Sequence, residues 1–472
     1  MTNGQEERTA DVVVIGAGLT GLTAAFHLKR KGCNVLVLEK ENRIGGQIQT
    51  HRTGEFVMES GPNTGVVSCP EVAELFQLLE QDCDMEYARE SSKRRLIWKG
   101  HTFRDLPSGL VSGLRTPLFT WRDKLRLLGE PFRAKGTHAN ETVGELTVRR
   151  LGRSYLDYAV DPFLSGVYAG DPMRLVTRFA LPKLYRLEQN HGSFIRGAIA
   201  KSKEPKSERD RLATKKVFSA RGGLGNMVEA LGKGIGAEQM VLGADNITVN
   251  PNNGGWDIVY KKNGHPQTVR GRKVLTTCGA YALPALLPFI DYERMAAISA
   301  LAYAPVIQVS VGIKDTRGVH CAAFGGLVPS CEHQNVLGIL FPSACFEERA
   351  PQKGALLSFF MGGVRHLEWM EKSDEELKGM VDDALHRMLK LPEDVHADAI
   401  RIFRHPLAIP QYEKSSEQRY AAIESIERQY PGLFLAGNIK GGIGMADRIR
   451  QGTEMASLLT LQTAGQPPLR EC

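Results

Sequence analysis

The sequence predicts an α/β protein, in part α+β, with more than one lobe. The chain has 472 residues, which is more than a single hydrophobic core usually supports. Near its start, an apolar strand over 12–15 leads into a glycine-rich turn over 16–21, an amphipathic helix and a second apolar strand over 35–38. This order predicts a β-α-β unit with parallel strands. A second glycine-rich stretch, LAGNIKGGIGMADRIRQG at 435–452, precedes the last predicted helix.

Composition and charge limit the classes of partner. The net charge is +7, but basic and acidic residues are interspersed and form no long basic block. This pattern argues against a nucleic-acid-binding arm. Twelve histidines show no ligand spacing, so we predict no metal site. The eight cysteines include no C-x-x-C pair, and we expect free, mostly buried thiols. They are Cys33, Cys69, Cys83, Cys278, Cys321, Cys331, Cys345 and Cys472.

Two features bear on cellular location. The first ten residues, MTNGQEERTA, are polar and resemble neither a secretory signal nor a transit peptide, so we expect a cytoplasmic protein. The uncharged run over 295–313 is 19 residues long and could cross a bilayer by length alone. Pro305 interrupts it, and the residues beyond alternate as in a strand. We predict a helix end followed by a strand.

Each glycine of the first turn has a physical role. Gly16 permits the sharp exit from the strand, Gly18 lets the backbone approach a pyrophosphate, and Gly21 allows close packing of helix on strand. The helix N-terminus offers free amides and a positive dipole end to phosphates. Glu39, at the tip of the second strand, can accept hydrogen bonds from ribose hydroxyls. The complete unit predicts a dinucleotide site.

The residues after the second strand indicate which dinucleotide binds. EKENRIGGQ at 39–47 carries Arg43 and a glycine pair, and ESGPN follows at 59–63. An arginine can neutralise a pyrophosphate, and paired glycines let a loop cross the cofactor. This arrangement resembles the glutathione-reductase-like FAD-binding fold, in its branch of amine oxidases and porphyrinogen oxidases. The resemblance implies FAD rather than NAD.

The same resemblance accounts for the second glycine-rich stretch. In such proteins a segment near the C-terminus lies along the isoalloxazine ring, and the next helix points its N-terminus at the flavin. Asp447 is the predicted N-cap of that helix. The FAD-binding residues that the motifs imply are Gly16, Gly18, Leu19, Thr20, Gly21, Glu39, Lys40, Arg43, Gly45, Gly46, Gln47, Gly61, Pro62, Asn63, Thr64, Ile247, Gly437, Asn438, Ile443, Gly444 and Met445.

Motifs in the middle of the chain resemble the protoporphyrinogen oxidases. They are PFLSGVYAGDPMRL (162–175), FGGLVPS (324–330), FEERAP (346–351), FFMGG (359–363) and AIPQY (408–412). The resemblance implies six-electron oxidation of protoporphyrinogen IX to protoporphyrin IX, with FAD and O₂ and with release of H₂O₂. It implies hydride transfer to the flavin, and we name no catalytic residue.

Such a substrate needs a broad apolar slot and a cationic anchor for its propionates. By resemblance, Arg94 in KRRLIWKG holds a propionate, with Arg95 as the alternative one position along. The other implied substrate-binding residues are Asn63, Gly166, Leu327, Leu340 and Phe360.

The resemblance also implies three lobes. They are an FAD-binding domain from 1–60, 215–285 and 410–472, a mixed-sheet substrate-binding domain from 61–95 and 286–409, and a helical lobe from 96–214. Within the helical lobe, RTPLFTWRDKLRLLGEPFRAKG at 115–136 has six basic residues among aromatic and aliphatic ones. This pattern predicts peripheral contact with an anionic membrane.

Three alternatives stay open. An amine oxidase or carotenoid desaturase shares the fold, although residues 439–445 lack the aromatic residue that amine oxidases commonly place there. A coproporphyrinogen III oxidase would act on a substrate with four propionates. A carrier resembling the GDP-dissociation inhibitors would use the fold without flavin. The oligomeric state is also open, a homodimer included.

Two helix starts are predicted from capping boxes. Ser68 with Glu71 precedes one apolar periodic stretch, and Ser373 with Glu376 precedes another. Residues 217–280 are predicted to return to the FAD-binding domain as a helix followed by short strands.

Overall fold

The structure is a computed structural model that describes residues 8–461. Residues 1–7 and 462–472, which include Cys472, lie outside this range. The strands are β1 (Arg8–Ile15), β2 (Val35–Leu38), β3 (Gln49–Thr53), β4 (Phe56–Ser60), β5 (Gly65–Val66), β6 (Met85–Tyr87), β7 (Arg95–Lys99), β8 (Thr102–Asp105), β9 (Val217–Ala220), β10 (Met240–Val241), β11 (Ala244–Asn252), β12 (Gly255–Lys262), β13 (His265–Thr276), β14 (Tyr303–Ile313), β15 (Gly325–Leu327), β16 (Gly338–Leu340), β17 (Ala355–Gly362), β18 (Ala399–Pro410) and β19 (Leu433–Leu435).

The helices alternate with these strands at both ends of the chain and cluster between β8 and β9. They are α1 (Leu19–Arg30), α2 (Pro70–Leu78), α3 (Leu110–Arg115), α4 (Trp121–Leu128), α5 (Val143–Arg150), α6 (Arg153–Tyr155), α7 (Asp161–Tyr168), α8 (Thr177–Ala180), α9 (Pro182–His191), α10 (Phe194–Ser202), α11 (Glu208–Arg211), α12 (Leu224–Ile235), α13 (Leu283–Leu286), α14 (Tyr292–Ser299), α15 (Pro342–Cys345), α16 (Asp374–Arg387), α17 (Ser416–Gln429) and α18 (Met445–Leu461).

The first sheet joins strands from three separated parts of the chain. Its order is β10-β2-β1-β13-β12-β11, with β19 beside β13. The strands β2, β1, β13 and β19 are parallel, so their carboxyl ends share one edge. In register, Ile15 lies beside Leu38 and Thr276, and Thr276 lies beside Leu435. The predicted β-α-β unit is confirmed, and the strands β10 to β13 of residues 240–276 belong to the same sheet.

The first and last helices pack against each other on one face of this sheet. Leu22 and Phe26 of α1 share a buried core with Leu231 of α12 and Ile449 of α18. The two backbones approach closely, since a Cβ at Gly452 would lie 2.7 Å from the Thr20 carbonyl oxygen. The two ends of the chain therefore build one domain.

The opposite face of the first sheet is covered by α13, α14 and α17. Leu283, Met295 and Ile298 belong to the core that includes Val13 and Ile426. The predicted boundary at residue 286 is therefore too early, because α14 packs on the first sheet. The run over 295–313 forms the end of α14 and then β14, as predicted.

The second sheet has two chemically different faces. Its order is β18-β14-β17-β16-β15-β7-β8. On one face, Val309 and Phe359 pack against Val381 and Leu385 of α16. The other face carries the alternating residues of the same strands, which include Gln308, because neighbours along a strand point to opposite sides.

The helical lobe begins later than predicted. Strands β7 and β8 pair within the second sheet, so the lobe starts after Asp105 rather than at residue 96. Its interior contains a buried ionic cluster in which Arg150 donates to Glu130 at 2.7 Å and to Glu188 at 2.7 Å. The polar segment over 201–216 contains the short helix α11, whose Arg209 pairs with Glu71 at 2.6 Å.

One predicted helix start is confirmed and one is wrong. Ser373 caps α16 in a capping box with Glu376. Helix α2 instead begins at Pro70 with Cys69 at its N-cap position, and Ser68 lies outside it. Proline is favoured in the first turn of a helix because its φ is already helical. Pro70 therefore places the N-cap of α2 one residue later than predicted.

Two further expectations concern the cysteines and the membrane. Within residues 8–461 all seven cysteines are free thiols, but only Cys69, Cys83 and Cys345 are buried and Cys331 is exposed, so "mostly buried" is wrong. Across the same residues, every helix is too short or too polar to span a bilayer.

Candidate active site

The two glycine-rich segments meet at Thr277, at the shared carboxyl edge of the first sheet. The Thr277 hydroxyl donates to the Ile15 carbonyl oxygen at 3.1 Å and to the Gly16 carbonyl oxygen at 3.0 Å. On the other side, a Cβ at Gly437 would lie 2.6 Å from the Thr277 carbonyl oxygen. Gly16 and Gly437 both have positive φ, +102° and +86°. Both positions therefore require glycine.

The first turn forms a cradle at the N-terminus of α1. A Cβ at Gly21 would lie 2.0 Å from the Gly16 carbonyl oxygen, so Gly21 is needed for close packing. Around Gly18, by contrast, no atom of residues 8–461 other than those of Ala17, Gly18 and Leu19 lies within 4 Å of a Cβ position. Gly18 precedes α1 without a side-chain cap, and the buried Thr20 hydroxyl has no partner among residues 8–461. Free helix amides, an unpaired hydroxyl and open space fit a phosphate group.

Glu39 lies beside this cradle. Its carboxylate accepts from the Ala17 amide at 2.6 Å and from the Glu41 amide at 2.9 Å. A carboxylate has about four lone-pair sites, so capacity remains for ribose hydroxyls. The Ala244 amide donates to the Glu39 carbonyl oxygen at 2.8 Å. The half-buried Ile247 follows on the same strand, near the tip of β2.

Two loops close over the first turn. The Gly45 amide donates to the Ala17 carbonyl oxygen at 2.8 Å. A Cβ at Gly61 would lie 2.4 Å from the Gln47 carbonyl oxygen, so the loop over 61–64 rests directly on the loop over 45–47. A Cβ at Gly46 would meet the Gly18 Cα at 3.2 Å. These loops bring the glycines of both predicted motifs together.

The two basic residues of the first motif are exposed. Arg43 donates to the Gly46 carbonyl oxygen at 2.8 Å and to the Ile44 carbonyl oxygen at 3.3 Å. Lys40 lies 3.8 Å from the Glu41 carboxylate. These bonds hold the Arg43 guanidinium beside the loop over 45–47. Its role at the pyrophosphate stays a prediction.

The loop over 437–444, which we call the C-terminal loop, is held by two tyrosines. The Tyr303 hydroxyl donates to the Asn438 side-chain oxygen at 3.2 Å. The Tyr412 hydroxyl lies within hydrogen-bonding distance of the Asn438 and Gly442 carbonyl oxygens, at 3.0 and 2.9 Å. Burial raises the pKa of Tyr303 to about 12, so this phenol stays protonated at neutral pH. These hydrogen bonds hold the loop in place against β14 and the segment after β18.

The helix after this loop starts one turn earlier than its predicted cap. Met445 is the first residue of α18, and the Asp447 carboxylate accepts from the Gly444 amide at 3.2 Å. Asp447 therefore lies inside the first turn, and its prediction as the N-cap is wrong. Its negative charge still complements the positive end of the helix dipole. Ile443 packs against the buried core of the helical lobe.

Three of the predicted substrate-binding residues, Leu327, Leu340 and Phe360, lie on one face of the second sheet. Leu327, Gly338, Phe360 and Gln308 are paired in one row across four strands. Leu340 lies two positions from Gly338 on β16, so it points to the same face. A Cβ at Gly338 would lie 3.3 Å from a Leu327 methyl carbon, so the Leu327 side chain lies over Gly338. We call this surface the clamp face.

The clamp face is joined to the loop over 61–64. Ser358 donates to the Asn63 side-chain oxygen at 2.9 Å. Gln308 accepts from the Gly61 amide at 3.0 Å and donates to the Glu59 carbonyl oxygen at 2.7 Å. The buried amide side chains of Gln308 and Asn63 thus fix the loop against the second sheet.

Gly166 lies next to the clamp face. A Cβ there would lie 2.5 Å from a Leu327 methyl carbon. Of the predicted substrate-binding residues, Asn63, Gly166, Leu327, Leu340 and Phe360 are brought together around this face.

The two arginines of the KRRLIWKG motif lie at the start of β7 and have different partners. Arg94 precedes the strand and donates to Asp105 at 3.0 and 3.2 Å. Arg95 pairs with Gly325 and therefore shares the clamp face. Its guanidinium lies 5.2 Å from the centre of the Phe324 ring. The pair of Arg94 with Asp105 is largely exposed and weak.

Several residues that shape the site are absent from the motifs. Thr277, Gln308 and Ser358 act through contacts between segments that are far apart in sequence. One signal was readable: a glutamine inside VIQVSVGI, an otherwise apolar run, indicates a buried polar group that needs partners.

The chain matches a known protein family, curated relatives and solved structures. The model of the family of flavin-containing amine oxidoreductases matches residues 19–459. The chain is 31% identical to a chloroplastic protoporphyrinogen oxidase of Oryza sativa subsp. japonica over 96% of its length and 88% of the relative's length. It is 28% identical to the human protoporphyrinogen oxidase over 94% of its length and 97% of the relative's length. A crystal structure of a candidate protoporphyrinogen oxidase from Exiguobacterium sp. 255-15 superimposes with a TM-score of 0.78 at 21% identity, over 97% of this chain and 100% of that chain.

Replacing Gly18 by alanine tests the cradle. Because a Cβ there meets no protein atom, the fold should be retained while the methyl group enters the space assigned to the pyrophosphate. We expect flavin affinity to fall at least ~10-fold, which is ~1.4 kcal/mol. Isothermal titration of the apoprotein with FAD measures this. Gly379→Ala, where a Cβ is also unobstructed, is the matched control. Equal affinities of Gly18→Ala and wild type would contradict the assignment.

Proposed function

The chain belongs to the family of flavin-containing amine oxidoreductases, and from this premise we propose that it oxidises protoporphyrinogen IX to protoporphyrin IX. Its cofactor is FAD. When bound, FAD would accept two electrons in each of three successive dehydrogenations. The oxidant that regenerates FAD is proposed to be O₂, reduced to H₂O₂. The reaction belongs to haem and porphyrin biosynthesis.

The observation that carries this proposal is the clamp face. A tetrapyrrole macrocycle needs a broad apolar wall, and the row from Leu327 to Phe360 presents an apolar side chain on each side of Gly338. The wall is tied through Gln308 to the loop over 61–64, which rests on the first glycine turn. An apolar surface is therefore held at a fixed position next to the proposed cofactor site.

The residues of the chain act by binding and positioning. Leu327, Leu340 and Phe360 are proposed to hold the rings by apolar contact. Asn63, whose amide is held by Ser358 and by Gly61, is proposed to lie at the reacting edge with Gly166. The C-terminal loop, which is hydrogen-bonded to Tyr303 and Tyr412, is proposed to contact the flavin ring.

Anaerobic reduction of the bound flavin tests the function. Protoporphyrinogen IX should bleach the oxidised flavin absorbance, and subsequent exposure to O₂ should release three H₂O₂ for each porphyrin formed, since each two-electron step yields one. Coproporphyrinogen III and a primary alkylamine are the comparison substrates and should react more slowly. A flavin-loaded protein that protoporphyrinogen does not reduce would refute the proposal.

A propionate anchor is proposed at Arg94 and Arg95. Arg94 matches the motif, and its side-chain partner among residues 8–461 is the exposed Asp105 carboxylate, whereas Arg95 shares the clamp face. Replacing both by alanine should raise KM at least ~10-fold with little change in kcat, because charge-assisted hydrogen bonds contribute ~1.5–3 kcal/mol. The single variants Arg94→Ala and Arg95→Ala then show how much each arginine contributes to the rise in KM. Arg221→Ala, an exposed arginine elsewhere, is the control, and an unchanged KM in the double variant would exclude both residues.

We further propose that the helical lobe contacts a membrane surface. On α4, Trp121, Leu125 and Leu128 lie at helical spacing and are 65%, 64% and 70% exposed. Phe132 nearby is 85% exposed. Glu130 is fully buried with Arg150, so the acidic charge at the surface of this segment is smaller than its sequence indicates. An exposed apolar helix face among basic residues fits an anionic bilayer.

Vesicle binding tests this surface. The wild type should co-sediment with vesicles that contain phosphatidylserine and be released by high salt, because exposed charges are screened. Replacing Trp121, Leu125 and Leu128 together by serine should abolish sedimentation while the flavin content is retained. Tyr292→Ser, which removes a side chain 88% exposed on α14, is the control. Retained binding of the triple variant would contradict the proposed surface.

A further inference from the structure

The end of α16 and the loop before β18 bring two histidines and one aspartate together. The ligand atoms of Asp382, His386 and His396 all lie within 4.8 Å of one another. Asp382 and His386 are four residues apart on α16, so they occupy the same face of the helix. His396 reaches them from the loop, which is held by the buried Leu391 and Val395.

The His386 ring is oriented as in a metal ligand. Its Nδ1 lies 3.2 Å from the Leu391 carbonyl oxygen, so Nδ1 carries the proton and donates. In the neutral ring the lone pair is then on Nε2, which faces Asp382 at 3.6 Å. Metal-binding histidines typically donate their second ring N–H to a carbonyl or carboxylate in this way.

The spacing of the three groups fits a metal better than direct hydrogen bonds. One Asp382 oxygen lies 3.4 Å from His396 Nδ1 and 3.6 Å from His386 Nε2. Both distances exceed the usual 2.7–3.2 Å of an N–H···O hydrogen bond. Tetrahedral coordination at ~2.0–2.1 Å separates neighbouring ligand atoms by ~3.4 Å.

The Asp382 carboxylate faces the two imidazoles, and the nearby Asp383 has a different partner. The next residue, Asp383, is neutralised by Arg387, which donates to it at 2.8 Å. Within residues 8–461, the ion-pair partners of Asp382 are His386 and His396 alone. The Asp382 and His396 side chains are 51% and 66% exposed, so an ion can enter from solvent.

We propose that Asp382, His386 and His396 bind one divalent transition-metal ion, with Zn²⁺ as the best chemical match. Two imidazoles and a carboxylate suit Zn²⁺, whereas Mg²⁺ and Ca²⁺ require oxygen ligands. Three protein ligands leave a fourth position for water. The ion would tie the end of α16 to the loop before β18.

This site is separate from the clamp face. Helix α16 covers the opposite face of the second sheet through Val381 and Leu385. The proposal therefore does not rest on the proposed oxidation. It departs from the sequence prediction of no metal site, because His396 is brought to the helix by the loop rather than by a short ligand spacing.

Zinc titration of the metal-free, FAD-loaded full chain tests the proposal. We expect isothermal titration to show one Zn²⁺ per chain and thermal unfolding to shift upward on zinc addition, since a ligand that binds only the folded state stabilises it. Asp382→Asn, His386→Gln and His396→Gln should each weaken zinc binding at least tenfold. His265→Gln, an exposed histidine on β13, should bind like wild type.

Flavin content and circular dichroism of the variants separate lost binding from lost folding. His396→Gln is the cleanest variant because its side chain is the most exposed of the three. Anomalous scattering at the zinc edge from soaked crystals should place the ion among the three side chains. Absence of zinc binding by the wild type, or undiminished binding by a folded His386→Gln/His396→Gln double variant, would overturn the proposal.

Discussion

The site depends on one close approach, that of two glycine backbones to Thr277. The parallel register of β1, β13 and β19 brings Ile15, Thr276 and Leu435 to the same edge. The residues that follow therefore emerge side by side. Thr277 then bonds to the turn at Gly16 and leaves no room for a side chain at Gly437. If this edge were displaced, the N-terminal cradle and the C-terminal loop could not bind one cofactor.

From this edge the remaining parts of the site are positioned by contact. The loop over 45–47 is bonded to the first turn, and the loop over 61–64 rests on it. Gln308 and Ser358 then attach the second sheet to that loop. Because Gln308 and Ser358 lie on the clamp face, the apolar surface and the glycine turns are held in one rigid arrangement. The substrate wall is thus positioned through buried polar contacts.

Local features of the fold were predictable from the sequence, whereas long-range features were not. The first turn, the helix capped by Ser373 and the sequence of α14 and β14 follow from short-range patterns. The domain boundary at 286 was wrong because an apolar helix stripe does not specify which sheet it covers. Arg94 and Arg95 are one position apart in the sequence. A one-residue offset in a strand exchanges the two sides of a sheet. The contacts of Thr277 depend on pairing between strands that are far apart in the sequence.

The central claim is that both glycine-rich segments bind a single FAD molecule. A crystal structure of the FAD complex tests it most directly. We expect the pyrophosphate at the amides of Leu19 and Thr20, next to Gly18, and the isoalloxazine ring along residues 437–445, facing Leu327 and Phe360. A flavin ring bound away from residues 437–445, with the pyrophosphate still at Gly18, would contradict the account.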